Sequence, residues 1–274
     1  GPTLNGEASA GFHRQVTTAA EARAAVRQVH AQGADFIKIH RATTREAFFA
    51  IADETRRLGI AFAGHVPLVL SWREASNAGM FSIEHIQTMY ENEEPNPARV
   101  AAAFPQVTAR LEGAYGDSIF AVLRRNGTWF DPNLIGYERT IDDAAPAVAS
   151  LRRSAYQRMK VVAAHAVRSG VGILAGTDVR ERHGDALLTE LERLVEVGLT
   201  PQQALAAATT TAAGAARRPA LARVASGNTA SFLLLGADPL RDVRNVRALE
   251  AVVLRGRLIE APELARLRTP SAAR

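Results

Sequence analysis

The sequence predicts an α/β fold of repeated βα units closed towards a (β/α)8 barrel. Three observations predict it. Short apolar segments alternate with helical patterns, and the helices end near glycines. Each apolar segment carries a polar residue at its C-terminal end: Lys38, His65, His85, Asp131 and Asp178. Parallel strands covered by helices on both faces read as continuous apolar runs, as these do. In a barrel such strand ends meet at one face, where active sites lie. An open doubly wound sheet is the rival, but no GxGxxG or GxxxxGK phosphate loop occurs.

The first sixteen residues read as loop. Residues 17–31, TTAAEARAAVRQVHA, place Ala22, Val26 and Val29 on one helical face, with Gly33 as the stop. ADFIKIH is then a short buried strand, REAFFAIADETRRLG an amphipathic helix ending at Gly59, and GIAFAGHVP a second strand. SWREASNAG forms a helical turn and GMFSIEHI a third strand. A polar stretch at 91–97 follows, with a helix around 118–125, a fourth strand in NGTWFDPNL, a long helix near 144–169 and a fifth strand in GVGILAGTD. Helices are expected around 186–197 and 201–213. Beyond Ser226-Gly227 the pattern changes to strands joined by turns, one of them at Arg255-Gly256. The expected division is a barrel portion over 1–223, part of a β-sandwich over 224–262, and a frayed tail over 263–274.

At 274 residues, 47% of them hydrophobic, the chain can bury a sizeable core. No apolar run approaches the roughly 18–20 residues of a membrane span. The net charge of +5 comes with a pI near 10.2, but the basic residues form no tract and aromatics are only 6%. A nucleic-acid partner is therefore not expected. With no cysteine, disulfides, thiolate nucleophiles and cysteine zinc sites are excluded. Arginine supplies nearly all the positive charge, and lysine occurs only at Lys38 and Lys160.

That rarity draws attention to Lys38, inside the apolar FIKI segment. A snorkelling lysine at a strand end is the plain reading. The sharper reading is a neutral amine that takes up carbon dioxide as a carbamate, which arginine cannot do. His65 and His85 end successive strands one βα unit apart, and neutral imidazoles at equivalent positions suit a divalent ion. Alone, either is an ordinary core or rim histidine. Asp178 is a helix N-cap or a carboxylate at the same barrel face. Lys38, His65, His85 and Asp178 together form a plausible divalent site.

The series FIKI, GHVP, SIEHI, GTWFDPNL and AGTDV resembles the metal-dependent amidohydrolase superfamily, in its imidazolonepropionase-like and dipeptidase-like branch. The runs LTPQQALAAATTTAAGAARRP and SGNTASFLLLGADPLRDVRNVRALEAVVLRGRLI resemble that family's final helix and β-sandwich return, so the likeness covers residues 16–259. The resemblance implies a barrel represented by about strands 4–8, with a C-terminal sandwich segment. It implies that Lys38 is an N6-carboxylysine bridging metals, that His65 and His85 are ligands, and that Asp178 is both ligand and catalytic proton carrier. The implied cofactor is one or two divalent ions, zinc foremost. The implied reaction is hydrolysis of an amide, cyclic amide or dipeptide-like C–N bond by a metal-activated hydroxide.

One departure matters. The family's first strand carries His-x-His, and no such pair exists here; the other histidines are His13, His30, His40, His165 and His183. The expectation is a C-terminal fragment of a longer enzyme, inactive by itself. A non-catalytic degenerate barrel and a mononuclear deaminase-like member with unmodified Lys38 are the alternatives. His40, Tyr137 and His183 are weighed as substrate contacts against a loop histidine, a packed aromatic and an exposed histidine. Asp131 reads first as a turn residue before Pro132, and Arg180 and Arg182 flank the Asp178 loop. A small amide or peptide-like substrate is the expected partner; localisation and homo-oligomer formation stay open.

Overall fold

A computed structural model of the protein describes residues 2–7, 13–179 and 183–268. The chain divides into two compact units, Gly1–Asp178 and Val179–Arg274. No helix among the described residues is long and apolar enough to cross a membrane.

The first unit contains strands β1 (Thr3–Asn5) and β2 (His13–Gln15), helix α1 (Ala19–Ala31), β3 (Phe36–Ile39), α2 (Arg45–Leu58), β4 (Ala61–Gly64), α3 (Trp72–Asn77) and β5 (Ser82–Glu84). Then come α4 (Ile86–Glu93), α5 (Pro97–Glu112), α6 (Ala114–Asn126), β6 (Trp129–Asp131), α7 (Leu134–Asp142) and α8 (Pro146–Arg168). The six strands pair in the order β2-β1-β3-β4-β5-β6, all parallel. Local chemistry sets the helix ends. Thr18 and Ser71 form capping boxes with Glu21 and Glu74. Gly59 and Gly127 take the left-handed conformation at the C-caps of α2 and α6. Between sheet and helices lie Leu4, Ile37, Ile39, Phe48, Phe62, Ile83 and Phe130, all buried.

Three expectations are corrected here. The first sixteen residues are not all loop, since β1 and β2 add two strands to the sheet edge. Each is three residues long and HRQ has no apolar residue, so neither shows an apolar periodicity. Helix also enters where only a polar stretch at 91–97 was expected: α4 runs to Glu93 and α5 begins at Pro97, the residue type favoured in a first helical turn. The expected fifth strand shrinks to one parallel bridge, Ile173 against Phe130, with Leu174 N–H donating to the Phe130 carbonyl. Gly172 packs against the Trp129 ring and leaves no room for a side chain there, and glycine weakens a strand.

The second unit holds α9 (His183–Glu196), α10 (Pro201–Ala208), α11 (Thr210–Ala215), β7 (Phe232–Leu235), β8 (Leu249–Leu254), β9 (Arg257–Glu260) and α12 (Ala261–Arg268). The helix expected over 201–213 breaks at Thr209, whose hydroxyl donates to the Leu205 carbonyl at 2.6 Å. The β-branched run Thr209–Thr210–Thr211 favours that break. β7, β8 and β9 make a three-stranded antiparallel sheet, and positive φ at Arg255 and Gly256 turns the β8–β9 hairpin. A helix, α12, occupies residues expected to be an irregular tail, and Arg257 pairs with its Glu263.

Candidate active site

The sheet register builds the site. Ile39 pairs with Gly64, Gly64 with Ile83, and Glu84 with Asp131, so the C-terminal ends of β3 to β6 lie level. Residues that follow these ends gather on one rim. His40 follows β3 and donates its N–H to the Leu4 carbonyl at 3.0 Å; His65 follows β4 and donates to Ile39 at 3.2 Å. His85 follows β5 and donates to the Asp131 carbonyl at 2.9 Å. The imidazoles form a row: His13 to His40 at 4.8 Å between ring centres, His40 to His65 at 4.3 Å, and His65 to His85 at 4.4 Å. His85 Nδ1 lies 3.8 Å from Asp178 Oδ2, and its Nε2 lies 4.0 Å from Glu84 Oε2. Lys38 Nζ is ion-paired with Glu84 Oε2.

The backbone is strained where these residues sit. His85, Asn133 and Asp178 all have positive φ, at 68°, 50° and 48°. Such conformations cost roughly 1–3 kcal/mol each and cluster at functional sites. Two glycines make the rim passable. At Gly64, φ is +127° and a Cβ would collide with the Ile39 carbonyl oxygen. At Gly176, a Cβ would overlap the Asp131 carboxylate, which instead accepts the Gly176 N–H at 2.8 Å.

Burial dominates the electrostatics. It lowers the Lys38 ammonium below its ordinary value, against the opposing pull of Asp178 and Asp131. Burial also lowers His40 to about 4, helped by His13, Arg41 and Lys38. His65 falls further, through burial and then its imidazole neighbours His85 and His40, and His85 falls to about 3 through burial, Lys38 and His40. These imidazoles are neutral at neutral pH and keep a lone pair for a ligand. Burial raises the Asp131 carboxyl to about 6, although the Gly176 and Asn133 donors and Lys38 pull it down.

The structure thus brings Lys38, His40, His65, His85 and Asp178 to one rim. It adds Glu84 and His13 and moves Asp131 from a turn into the site. Glu84 had a visible signal, a carboxylate inside the SIE strand directly before His85; His13 had none, standing in a segment without periodicity. Tyr137 stands apart from the imidazole row and lines a pocket among α4, α5, α7 and α8, its ring 6.4 Å from that of Tyr156. Arg180, Arg182 and the side chain of His183 lie outside the described residues.

The donor chemistry fits a divalent ion. His40 Nδ1 and His65 Nδ1 are buried without a hydrogen-bond partner, and imidazoles beside carboxylates suit zinc and its neighbours. Among the described residues, no three His, Asp or Glu side chains converge into a finished ligand set.

No family model matches the chain, and no curated protein matches it either. Solved structures do. A bottromycin amidohydrolase superposes with a TM-score of 0.75 at 20% identity, over 97% of this chain and 65% of its own length. A prolidase of Bifidobacterium longum, so described provisionally, gives 0.73 at 23% identity over 96% of this chain and 65% of its own. A Xaa-Pro dipeptidase with methionine bound in its active site gives 0.69 at 22% identity, over 94% of this chain and 64% of its own. The chain therefore spans just under two thirds of these proteins' length, and at such identities the likeness is one of fold.

Proposed function

We propose that this chain carries part of the active site of a metal-dependent hydrolase that cleaves an amide, cyclic amide or dipeptide-like C–N bond. The observation that carries the reading is the row of imidazoles ending on Asp178, half-buried at His40 and His65 and buried at His85, with two buried ring nitrogens left without partners. The fold likeness to proteins described as a dipeptidase, a prolidase and an amidohydrolase supports the reaction class. Lys38, His65, His85 and Asp178 would hold the ion. A divalent ion there supplies Lewis acidity and a bound water of lowered pKa.

The chain's own groups do the rest. The Asp178 carboxylate accepts the proton of the attacking water and returns it to the leaving nitrogen. His85 Nδ1 lies 3.8 Å from Asp178 Oδ2, beside that carboxylate. As a carbamate, Lys38 is an anion facing the Glu84 carboxylate, so the two separate unless a cation lies between them. An unmodified Lys38 held by the Glu84 carboxylate would give a second reading, a mononuclear site. The absence of His-x-His and the spans of 64% and 65% support the reading that a longer protein completes the site.

The test is metal analysis of the purified protein, together with hydrolysis of a panel of acyl-amino acids and dipeptides, on this chain and on its gene product in full. One or two bound ions and hydrolysis that a chelator abolishes are expected from the full product. Two ions per chain favour the carbamate and one the unmodified lysine. A full product that binds no ion, or cleaves no C–N bond when loaded, sinks the proposal.

A further inference from the structure

Beside the rim lies a pocket of about 380 Å³ that the hydrolytic groups do not use. Its volume lies at the lower end of ligand sites, roughly 300–1,000 Å³. Phe104, Leu151 and Met159 give it apolar walls, while Gln87, Glu91 and Arg158 bring polar atoms to it. Two of these are chemically unfinished. Gln87 Oε1 is buried with no hydrogen-bond partner. Arg158 is half-buried and makes no ion pair among the described residues. The one carboxylate lining the pocket opposite in sign, Glu91, is engaged by Arg41 at 3.2 Å. An unpaired, partly desolvated guanidinium on an apolar wall is a binding group for an anion.

The pocket is tied to the rim through the chain. Gln87 stands two residues after His85, in the first turn of α4. Tyr137 follows Gly136, where a Cβ would come 2.7 Å from the Thr177 carbonyl oxygen and 3.8 Å from Asp178 Cβ. Helix α7 therefore touches the Thr177–Asp178 backbone directly and presents its next residue to the pocket.

We infer that this pocket binds the apolar, carboxylate-bearing half of the substrate, an acyl-amino acid or dipeptide with an aliphatic side chain. The side chain lies against Phe104, Leu151 and Met159, the carboxylate meets Arg158, and the amide N–H donates to Gln87 Oε1. The inference rests on the hydrolase reading for the word substrate, but the binding does not require turnover.

Isothermal titration of the chain with N-acetyl-leucine and N-acetyl-leucinamide, which lacks the carboxylate, separates the two. A charge-assisted hydrogen bond predicts that N-acetyl-leucine binds roughly tenfold tighter. Arg158→Gln removes that preference, and Leu151→Trp, which fills the pocket, weakens both ligands. Near-UV circular dichroism checks that each variant is folded, and Gln87→Leu supplies an independent test of the amide contact. Equal binding of the two ligands, no binding of either, or indifference to both Arg158→Gln and Leu151→Trp overturns the inference. Binding that depends on Arg158 without hydrolysis by the full product sinks the hydrolase reading and leaves the pocket standing.

Discussion

Two buried histidine environments in the first unit use the same side chain in opposite ways. On α8, His165 is buried and both ring nitrogens are satisfied: Nδ1 faces the Leu111 carbonyl at 2.8 Å and Nε2 the Asp117 carboxylate at 2.8 Å. Its ring also meets Phe120 edge-on at 5.0 Å. At the sheet rim, His40 and His65 keep buried Nδ1 atoms with no partner and lie tilted against further imidazoles. Burial is common to both places, so burial does not mark function. What differs is completion. A satisfied polar group ties helices together, whereas an unsatisfied one is a cost held open for a ligand.

The largest expected effect breaks the rim at its proton carrier. Asp178→Asn is expected to lower hydrolysis by the metal-loaded full product about 10²- to 10⁴-fold, the usual worth of a positioned general base. The Asp178 side chain is 70% exposed, so the thermal midpoint should hardly move. Steady-state rates beside a thermal melt check this. Activity within a factor of three of wild type would remove Asp178 from the mechanism.

The next effect inverts the comparison itself. Replacing His165 by leucine leaves the Leu111 carbonyl without its partner, and an unsatisfied buried group costs about 1–3 kcal/mol. Replacing His65 by leucine removes an atom that was already unsatisfied, and its stability cost in a chelator should stay within about 1 kcal/mol. Urea titrations of both variants with EDTA present measure the pair. If His65→Leu proves as destabilising as His165→Leu, the rim histidines are structural and the contrast fails.

How much of this was legible follows from the range of the signals. Lys38, His65, His85 and Asp178 stand in or just after short apolar segments that the local pattern reveals, and Gly59 marks a helix end for the same local reason. Glu84 needed a strand two places away in the sheet, because its meaning is the ion pair with Lys38 across β4. Asp131 looked like a turn residue until Gly176, 45 positions away, supplied its N–H. The strands β1 and β2 are made by pairing rather than by composition: Leu4 meets Ile39 in the sheet, and HRQ gains its place only from Thr3–Asn5. On α5, Phe104, Val107 and Leu111 form a buried helical face, and Pro105 stands inside the helix.

A smaller effect asks whether completed polar groups away from the rim are purely structural. Buried Tyr90 pairs its hydroxyl with Thr108 at 3.1 Å, and its ring stacks on Phe104 at 4.2 Å. Burial pushes its phenol up to about 12, above the ordinary 10. A raised folded-state value means stability that is complete below pH 10 and is lost as pH rises from there towards 12. Tyr90→Phe should cost about 1 kcal/mol near neutrality, the net worth of one hydrogen bond. The gap to wild type should then narrow in urea titrations between pH 9 and 11, and a gap that widens would contradict the burial of the phenol.

The smallest effect lies at the completed polar cluster of the α3 N-terminus. Glu74 accepts the Ser71 N–H and hydroxyl, each at 2.9 Å, and pairs with Arg45 at 2.5 Å. The Ser71 N–H, and after it Arg45, hold the Glu74 carboxyl down to about 2, below its ordinary 4.5. A depressed folded-state value means stability present above pH 4.5 and lost as pH falls through that window towards 2. Its side chain is 39% exposed, so water and salt screen the Arg45 pair and the capping bond carries most of the effect. Glu74→Gln keeps the capping geometry and removes the charge, so it should cost no more than about 0.5–1 kcal/mol at pH 7. The two proteins should converge in stability by pH 2. A constant gap across the acid range would mean that Glu74 acts here through shape and not through charge.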